Sequence, residues 1–557
     1  MPDAPRTVEE VARPDDAGRA EAEASPRHLV RSASLVGGLT FLSRVTGLLR
    51  ESMTAWYLGT GMAADAFRIA FLLPNLVRRL VGEGAITSAF VPVYALSLHR
   101  DGAEAGRVFA QKFLSFWLLI VSAFTILGVV LAEAIVSGVF AWGAFADPEK
   151  VALTTTLARF LFGYVFLIGA VAAAQGILNA HGVFGLPAFA PVAFNLAFAA
   201  AAWLLVGRLG VGNEPHAMSY AILIAGAVQL LVLVPPLLAV GVRLRPCYPF
   251  DHPGVKEVLR LLLPGTLGAG IYQINVTLST ALAARLGDGA VSSLSYSNRL
   301  MEFALGIFVF ALSTVSLTTL ARQSAAGDRS AFERTLSEIL RLTLFITLPS
   351  TVGLFVLARP ILSLLFQSGQ FDVQSLDLTE AAFHFHVLGM VSVGWNRVLV
   401  ACCHARKDLK TPVLHGAVNM LVHLALAYVL SEALGHSGIA LAATAAAALQ
   451  TVTLWLALGR RLPGLRIRGL PATALKTLAA SAIMGAFCWF ALRLLGLESP
   501  SKAYLAGAMA VLIGGGAAVF FVAAALLRIE EASTLAGALL RRRIGGARSA
   551  DKPELRS

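Results

Sequence analysis

Apolar runs separated by short polar loops set the pattern of this chain. They lie near residues 31–57, 64–97, 109–141, 153–180, 185–206, 217–241, 257–285, 290–321, 336–366, 379–403, 411–431, 437–459, 473–492 and 504–527. A helix crosses a bilayer with about 20 such residues. The pattern therefore predicts an all-α polytopic membrane protein of about 14 transmembrane helices. Several runs exceed a straight span, which implies tilt or extension beyond the membrane. Pro74, Pro92, Pro264 and Pro349 fall inside runs and predict kinks.

The pattern repeats. Leu131–Phe145 (LAEAIVSGVFAWGAF) aligns with Leu357–Phe371 (LARPILSLLFQSGQF), 226 residues later, with Phe140/Phe366, Gly143/Gly369 and Phe145/Phe371 among the identities. The Leu-Gly-x-Gly loop at Leu58–Gly61 returns at Leu286–Gly289, and Pro187 and Pro412 open corresponding runs. Six spans fall in each copy, and an even number preserves orientation. The repeat is then parallel, about an axis along the membrane normal. The predicted organisation is a disordered tail over 1–28, an N-terminal lobe over 29–241, a C-terminal lobe over 242–460, two further spans within 461–528, and a basic tail over 529–557.

Composition agrees: 57% of the 557 residues are hydrophobic and 14% charged, where soluble domains carry about 25% charge. The net charge of +12 does not point to nucleic acid, because the basic residues collect in alternate loops. Loops after even spans carry Arg100, Arg107, Lys112, Arg243, Arg245, Lys256, Arg322, Arg329, Arg334, Arg406, Lys407, Lys410, Arg460, Arg461, Arg466, Arg468 and Lys476. Those after odd spans carry Lys150, Arg208, Arg493 and Lys502, so the balance is seventeen to four. Both termini are thus expected in the cytoplasm. The mixed-charge N-terminal tail is no signal peptide. Arg541, Arg542, Arg543 and Arg548 suit an anionic leaflet. Four cysteines make no disulfide framework, and Cys402 and Cys403 with His384, His386 and His404 show no metal-ligand spacing.

The spans nevertheless contain charges, and an ion at mid-bilayer costs about 3 kcal/mol or more unless it faces protein or water. In the first span Arg44, Gly47 and Glu51 share a helical face with Arg50 on its flank. In the second, Asp65, Arg68, Arg79 and Glu83 fall within about 60° of one another, and Arg78 points about 100° from Arg79. The eighth span adds Arg299 and Glu302, with Ser295 and Asn298 nearby. Arg68 and Arg397 read as helix-locking groups, and Arg79 with Glu83 reads equally as a salt bridge or a ligand site. Arg44, Arg50 and Arg299 outnumber their partners, which points to an anion. Guanidinium suits phosphate in particular, since its planar fork donates paired hydrogen bonds. Nucleotide-binding, zinc-hydrolase and serine-hydrolase motifs are absent, so ATP-driven transport and hydrolysis by those chemistries lack support.

The segments SRVTGLLRE (43–51), ADAFRIAFLLPNLVRRLVGEGAITSAFVPVY (64–94), SNRLMEFALGIF (297–308) and ARKDLKTPV (405–413) resemble the MurJ (MviN) lipid II flippases of the MOP exporter superfamily, over about residues 30–530. The resemblance implies two six-helix lobes around a central cavity. It implies transport of the undecaprenyl-pyrophosphate-linked peptidoglycan precursor across the bacterial inner membrane by alternating access. By the resemblance, substrate contacts would fall on Arg44, Arg50, Arg78 and Arg299, and acidic or gating roles on Glu51, Asp65 and Glu302; the helical face shared with Asp65 adds Arg79 to the first set and Glu83 to the second. The last two spans would frame a groove for the lipid tail, with Gly514, Gly515 and Gly516 leaving room there. Partners would be lipid II, membrane lipids and cell-wall synthesis machinery. No cofactor is implied. Coupling would come from the membrane potential or a monovalent cation, although carboxylates that hold sodium in some relatives are missing here and only Asn396 or Asn419 offer neutral oxygens. Asn298 also stands where relatives carry an acid. A flippase for an O-antigen-type glycan, a cation-coupled multidrug exporter and a non-transporting scaffold are the alternative readings.

Overall fold

Each apolar run coincides with one or two helices in the computed structural model, which describes residues 26–79, 85–243, 247–249, 251–462, 467, 469–496 and 501–533. Helix makes up 88% of the structure, and no strand occurs among the described residues. The helices are α1 (Pro26–Leu58), α2 (Met62–Val77), α3 (Ala85–Arg100), α4 (Gly102–Val139), α5 (Pro148–Ala180), α6 (Gly185–Leu209), α7 (Glu214–Ala239), α8 (Pro253–Ala284) and α9 (Ala290–Ala325). They continue as α10 (Arg329–Val356), α11 (Ala358–Phe366), α12 (Val373–Leu388), α13 (Met390–Ala405), α14 (Lys410–Leu434), α15 (His436–Arg461), α16 (Leu470–Leu494) and α17 (Lys502–Leu526). The chain is a multi-pass membrane protein.

Local sequence sets several boundaries. Asp147 accepts a hydrogen bond from the Glu149 amide at the start of α5, where Pro148 fills the first turn. Asp328, Asp372 and Ser501 cap α10, α12 and α17 in the same way.

Some predicted spans are broken. The run over 64–97 divides into α2 and α3, and the run over 336–366 into α10 and α11. The run over 379–403 bends by 46° between α12 and α13. Gly389 sits at that bend because a Cβ there would come within 2.6 Å of Thr444 Oγ1. Thr444 itself donates to the Phe385 carbonyl at 2.7 Å. Pro74, Pro92 and Pro349 are accommodated inside α2, α3 and α10. Among the described residues nine helices are long and apolar enough to cross a membrane, or ten if the bent pair is one span. α1 and α2, which carry Arg44, Arg50, Glu51 and Arg68, are not among them. α2 is too short at 16 residues, and α1 carries Arg44, Arg50 and Glu51 along its length.

The tails predicted over 1–28 and 529–557 lie largely outside the described residues, Arg541 to Arg548 included. The first helix begins at Pro26, inside the predicted tail. Residues 529–533 fold back, and Glu531 pairs with Arg341 of α10 at 2.9 Å.

At α16 and α17 the glycine run departs from expectation. A Cβ at Gly516 would lie 2.8 Å from Cys488 Sγ, and one at Gly515 3.2 Å from the Phe487 ring. These two glycines let α17 pack closely on α16; Gly514 alone of the three meets nothing within 4 Å. All four cysteines are free, and Cys402 and Cys403 are buried in an apolar cluster with Leu320, Leu336 and Leu454.

The sequence repeat reappears as geometry. Gly143 and Gly369, 226 residues apart, have φ of +60° and +58°, a region that only glycine enters freely. The residue after each donates its amide to the far half of the chain: Ala144 to the Arg285 carbonyl at 3.0 Å, and Gln370 to the Trp56 carbonyl at 2.8 Å. Arg285 and Trp56 stand at matching helix ends. The two contacts form a pseudo-symmetric pair at one end of the bundle.

Candidate functional site

The charged faces of α1, α2 and α9 meet across a cavity of about 950 Å³. Its centre is Glu51, which is 4% exposed. Glu51 accepts a hydrogen bond from Arg68 at 2.7 Å and from Arg50 at 3.2 Å, and lies 3.6 Å from Arg299. One carboxylate thus gathers three guanidiniums from three helices. Arg68 also lies over the Tyr296 ring, 4.5 Å from its centroid, and Arg50 over Phe194 at 5.7 Å. Arg299 reaches Glu302 at 3.7 Å, one turn away. Its side chain is 41% exposed, against 12% and 13% for Arg68 and Arg50, so Arg299 presents the open fork.

Arg44, Arg78 and Arg79 also line the cavity. Arg44 packs against Gly306, where any side chain would meet its guanidinium. Arg78 Nε donates to Asn75 Oδ1 at 3.0 Å, and Arg79 lies 5.7 Å from the Tyr272 ring centroid. An ideal helix would point these two neighbours apart, but residues 78 and 79 form a π turn, and both reach the same space. Among the described lining residues six arginines face two carboxylates, Glu51 and Glu302. Glu83 lies outside the described residues.

Asp65 has a different place from the one expected. It is 2% exposed and does not line the cavity. Its two carboxylate oxygens accept the amides of Gly289 at 2.9 Å and Ser292 at 2.7 Å, capping the start of α9. An acid at a helix N-terminus answers both the orphan amides and the helix dipole. Further bonds join the same two regions. Tyr296 donates to the Gly59 carbonyl at 3.1 Å, Thr60 Oγ1 to Ser375 Oγ at 2.8 Å, and Lys150 pairs with Asp288 at 2.6 Å. With the two pseudo-symmetric backbone contacts they seal one end of the cavity.

Several lining groups escaped the sequence reading. Tyr272, Gln273, Asn275, Ser279 and Thr280 form one stripe on α8, at helical spacing. That polar stripe in an apolar run was the available signal. Asn396, considered as a cation ligand, is consumed structurally: it donates to the Ala447 carbonyl at 2.9 Å and accepts from Thr451 at 2.9 Å. No cluster of three or more His, Cys, Asp or Glu with metal-binding geometry occurs among the described residues.

A bundle with a cationic central cavity, sealed at one end, defines a membrane transporter. The fold matches a solved structure titled lipid II flippase MurJ, inward closed conformation, with a TM-score of 0.73 and 25% identity over 88% of this chain and 98% of that one. An inward-facing multidrug MATE transporter of the MOP superfamily matches with a TM-score of 0.61 at 17% identity, over 79% of this chain and 96% of that one, a likeness of fold alone. The family model described as lipid II flippase MurJ covers residues 54–521. The lipid II flippase MurJ of Burkholderia cenocepacia is 34% identical over 438 residues, 78% of this chain and 84% of its own length. A probable lipid II flippase MurJ of Bdellovibrio bacteriovorus is 32% identical over 82% of this chain and 87% of its own. The chain belongs to the MurJ lipid II flippase family.

The sealed end yields a prediction. With the native cysteines replaced, a Thr60→Cys/Ser375→Cys pair is expected to form a disulfide readily, assayed by gel mobility. Adding Asp65→Asn, which removes the charge at the α9 terminus, should lower the cross-linked fraction. Unchanged cross-linking would show that Asp65 does not hold this end shut.

Proposed function

We propose that this chain flips lipid II, the pyrophosphate-linked peptidoglycan precursor, from the inner to the outer leaflet of the bacterial inner membrane by alternating access. The observation that carries the reading is the arginine surplus in a large membrane-embedded cavity. The diphosphate binds the guanidiniums, chiefly Arg299 and Arg44, with Arg50, Arg78 and Arg79 around them. Glu51 and Glu302 hold those forks in place, and Asp65 acts at the gate. The sugar-peptide fills the rest of the cavity and the polyprenyl tail stays in lipid.

Two lobes, over residues 29–241 and 242–460, rock about the cavity, and the last two helices (461–528) accompany the second lobe. Both termini lie in the cytoplasm by the distribution of Lys and Arg. The sealed end then faces outward, and the cavity loads from the inner leaflet. A cationic drug as cargo is disfavoured, because six guanidiniums would repel it.

The same surplus suggests the driving force. A membrane potential acts on each charge with about 2.3 kcal/mol per 100 mV. With the inside negative, an empty cationic cavity is drawn toward the inward-open state, and diphosphate binding cancels much of that bias.

Two predictions follow from charge. Arg44→Ala and Arg299→Ala are each expected to abolish complementation of a flippase-depleted strain while the protein still reaches the membrane; normal growth would fit a scaffold instead. Collapse of the membrane potential with the pH gradient intact should reduce lipid II exposure at the outer surface. Undiminished exposure would discard potential as the driving force.

A further inference from the structure

α9 carries a single glycine, Gly306, near the middle of the helix, and it is buried. Its φ is not positive, so no left-handed backbone requires it, and glycine is a poorer helix former than alanine. Space is the remaining reason. A Cβ at Gly306 would overlap Nη1 of Arg44 and stand 2.6 Å from its Cζ and 3.2 Å from Nη2. The three nearest atoms thus belong to one guanidinium, brought by α1 from the other half of the chain. Gly241 and Gly469 also lie against arginines, Arg107 and Arg341, but each has a positive φ at a helix end, which explains a glycine by itself.

This gap lies on the charged side of α9. Arg299, Glu302 and Gly306 follow one another at i, i+3 and i+7, which places them on one helical face. Arg44 lines the cavity together with Arg299 and Glu302, and the charges acting on it include both of them. With its guanidinium over Gly306, two forks from two helices offer donors to the same space. A methyl group in the gap would meet only the far end of a flexible side chain. Arg44 would turn aside before α1 and α9 moved apart, so the cost falls on the site and not on the fold.

Building on the flippase reading, we propose that Gly306 is a positioning residue: its missing side chain seats the Arg44 guanidinium beside Arg299, so that the diphosphate meets both forks together. Gly306 touches no cargo and acts through Arg44.

The test is a double-mutant cycle on the purified full-length chain, read by lipid II affinity and by the thermal midpoint without lipid. Gly306→Ala alone is expected to weaken lipid II binding about tenfold, close to the effect of Arg44→Ala. Added to Arg44→Ala, it should change affinity by less than about twofold. Without lipid, Gly306→Ala should lower the midpoint when Arg44 is present. Once Arg44 is removed the methyl group has room, and the midpoint should stay equal or rise, since alanine favours helix. Unchanged affinity for Gly306→Ala, or an equal loss with and without Arg44, would overturn the assignment. If Arg44→Ala itself spares lipid II binding, the flippase reading fails, and the midpoints still decide whether Gly306 seats Arg44.

Discussion

A single buried carboxylate keeps the cationic cavity together. Three guanidiniums brought within reach of one another in a membrane repel strongly, and each needs hydrogen-bond acceptors that lipid does not supply. Glu51 answers this by standing between Arg50, Arg68 and Arg299, from three different helices. Removing one partner from a buried ionic group typically costs about 3–5 kcal/mol, so the hub fixes how α1, α2 and α9 converge. It also leaves the site incomplete in a useful sense. One carboxylate cannot neutralise three forks, and Glu302 lies 3.7 Å from Arg299. The remaining positive potential is what a diphosphate would meet.

The same helices carry the closure of the cavity. Asp65 lies on α2, which also holds Arg68, and it caps α9, which also holds Arg299. Movement of α9 that breaks the cap would therefore shift Arg299 relative to Glu51. In the proposed cycle binding and gating would share a lever, and the glycine contacts at Gly143 and Gly369 repeat the interlobe contact on both sides of the pseudo-symmetry. Rigid packing of this kind favours discrete states over gradual deformation.

Charge made much of the site legible in the sequence. Arg44, Arg50, Glu51, Arg299 and Glu302 stood out because ions are rare in apolar runs, and helical periodicity placed the first three on or beside one face. The eventual place of Asp65 was hidden, since capping the N-terminus of α9 depends on a contact 224 residues away. The divergence assigned to Arg78 and Arg79 assumed ideal helix geometry that the π turn changes. Gly515 and Gly516 were read as facing lipid, and only the packing of α17 on α16 reveals otherwise. Neutral polar groups were the larger omission. Gln273, Asn275 and Ser279 carry no charge to mark them in a membrane span, yet they make up a wall of the cavity.

The central claim is that the arginines gathered by Glu51 hold the diphosphate of the cargo. A structure determined with lipid II bound tests it most directly. The account predicts phosphate oxygens at charge-assisted hydrogen-bond distance, about 2.7–2.9 Å, from Arg299 and at least one of Arg44 and Arg50. A diphosphate lodged away from these guanidiniums, with the headgroup elsewhere in the protein, would contradict it.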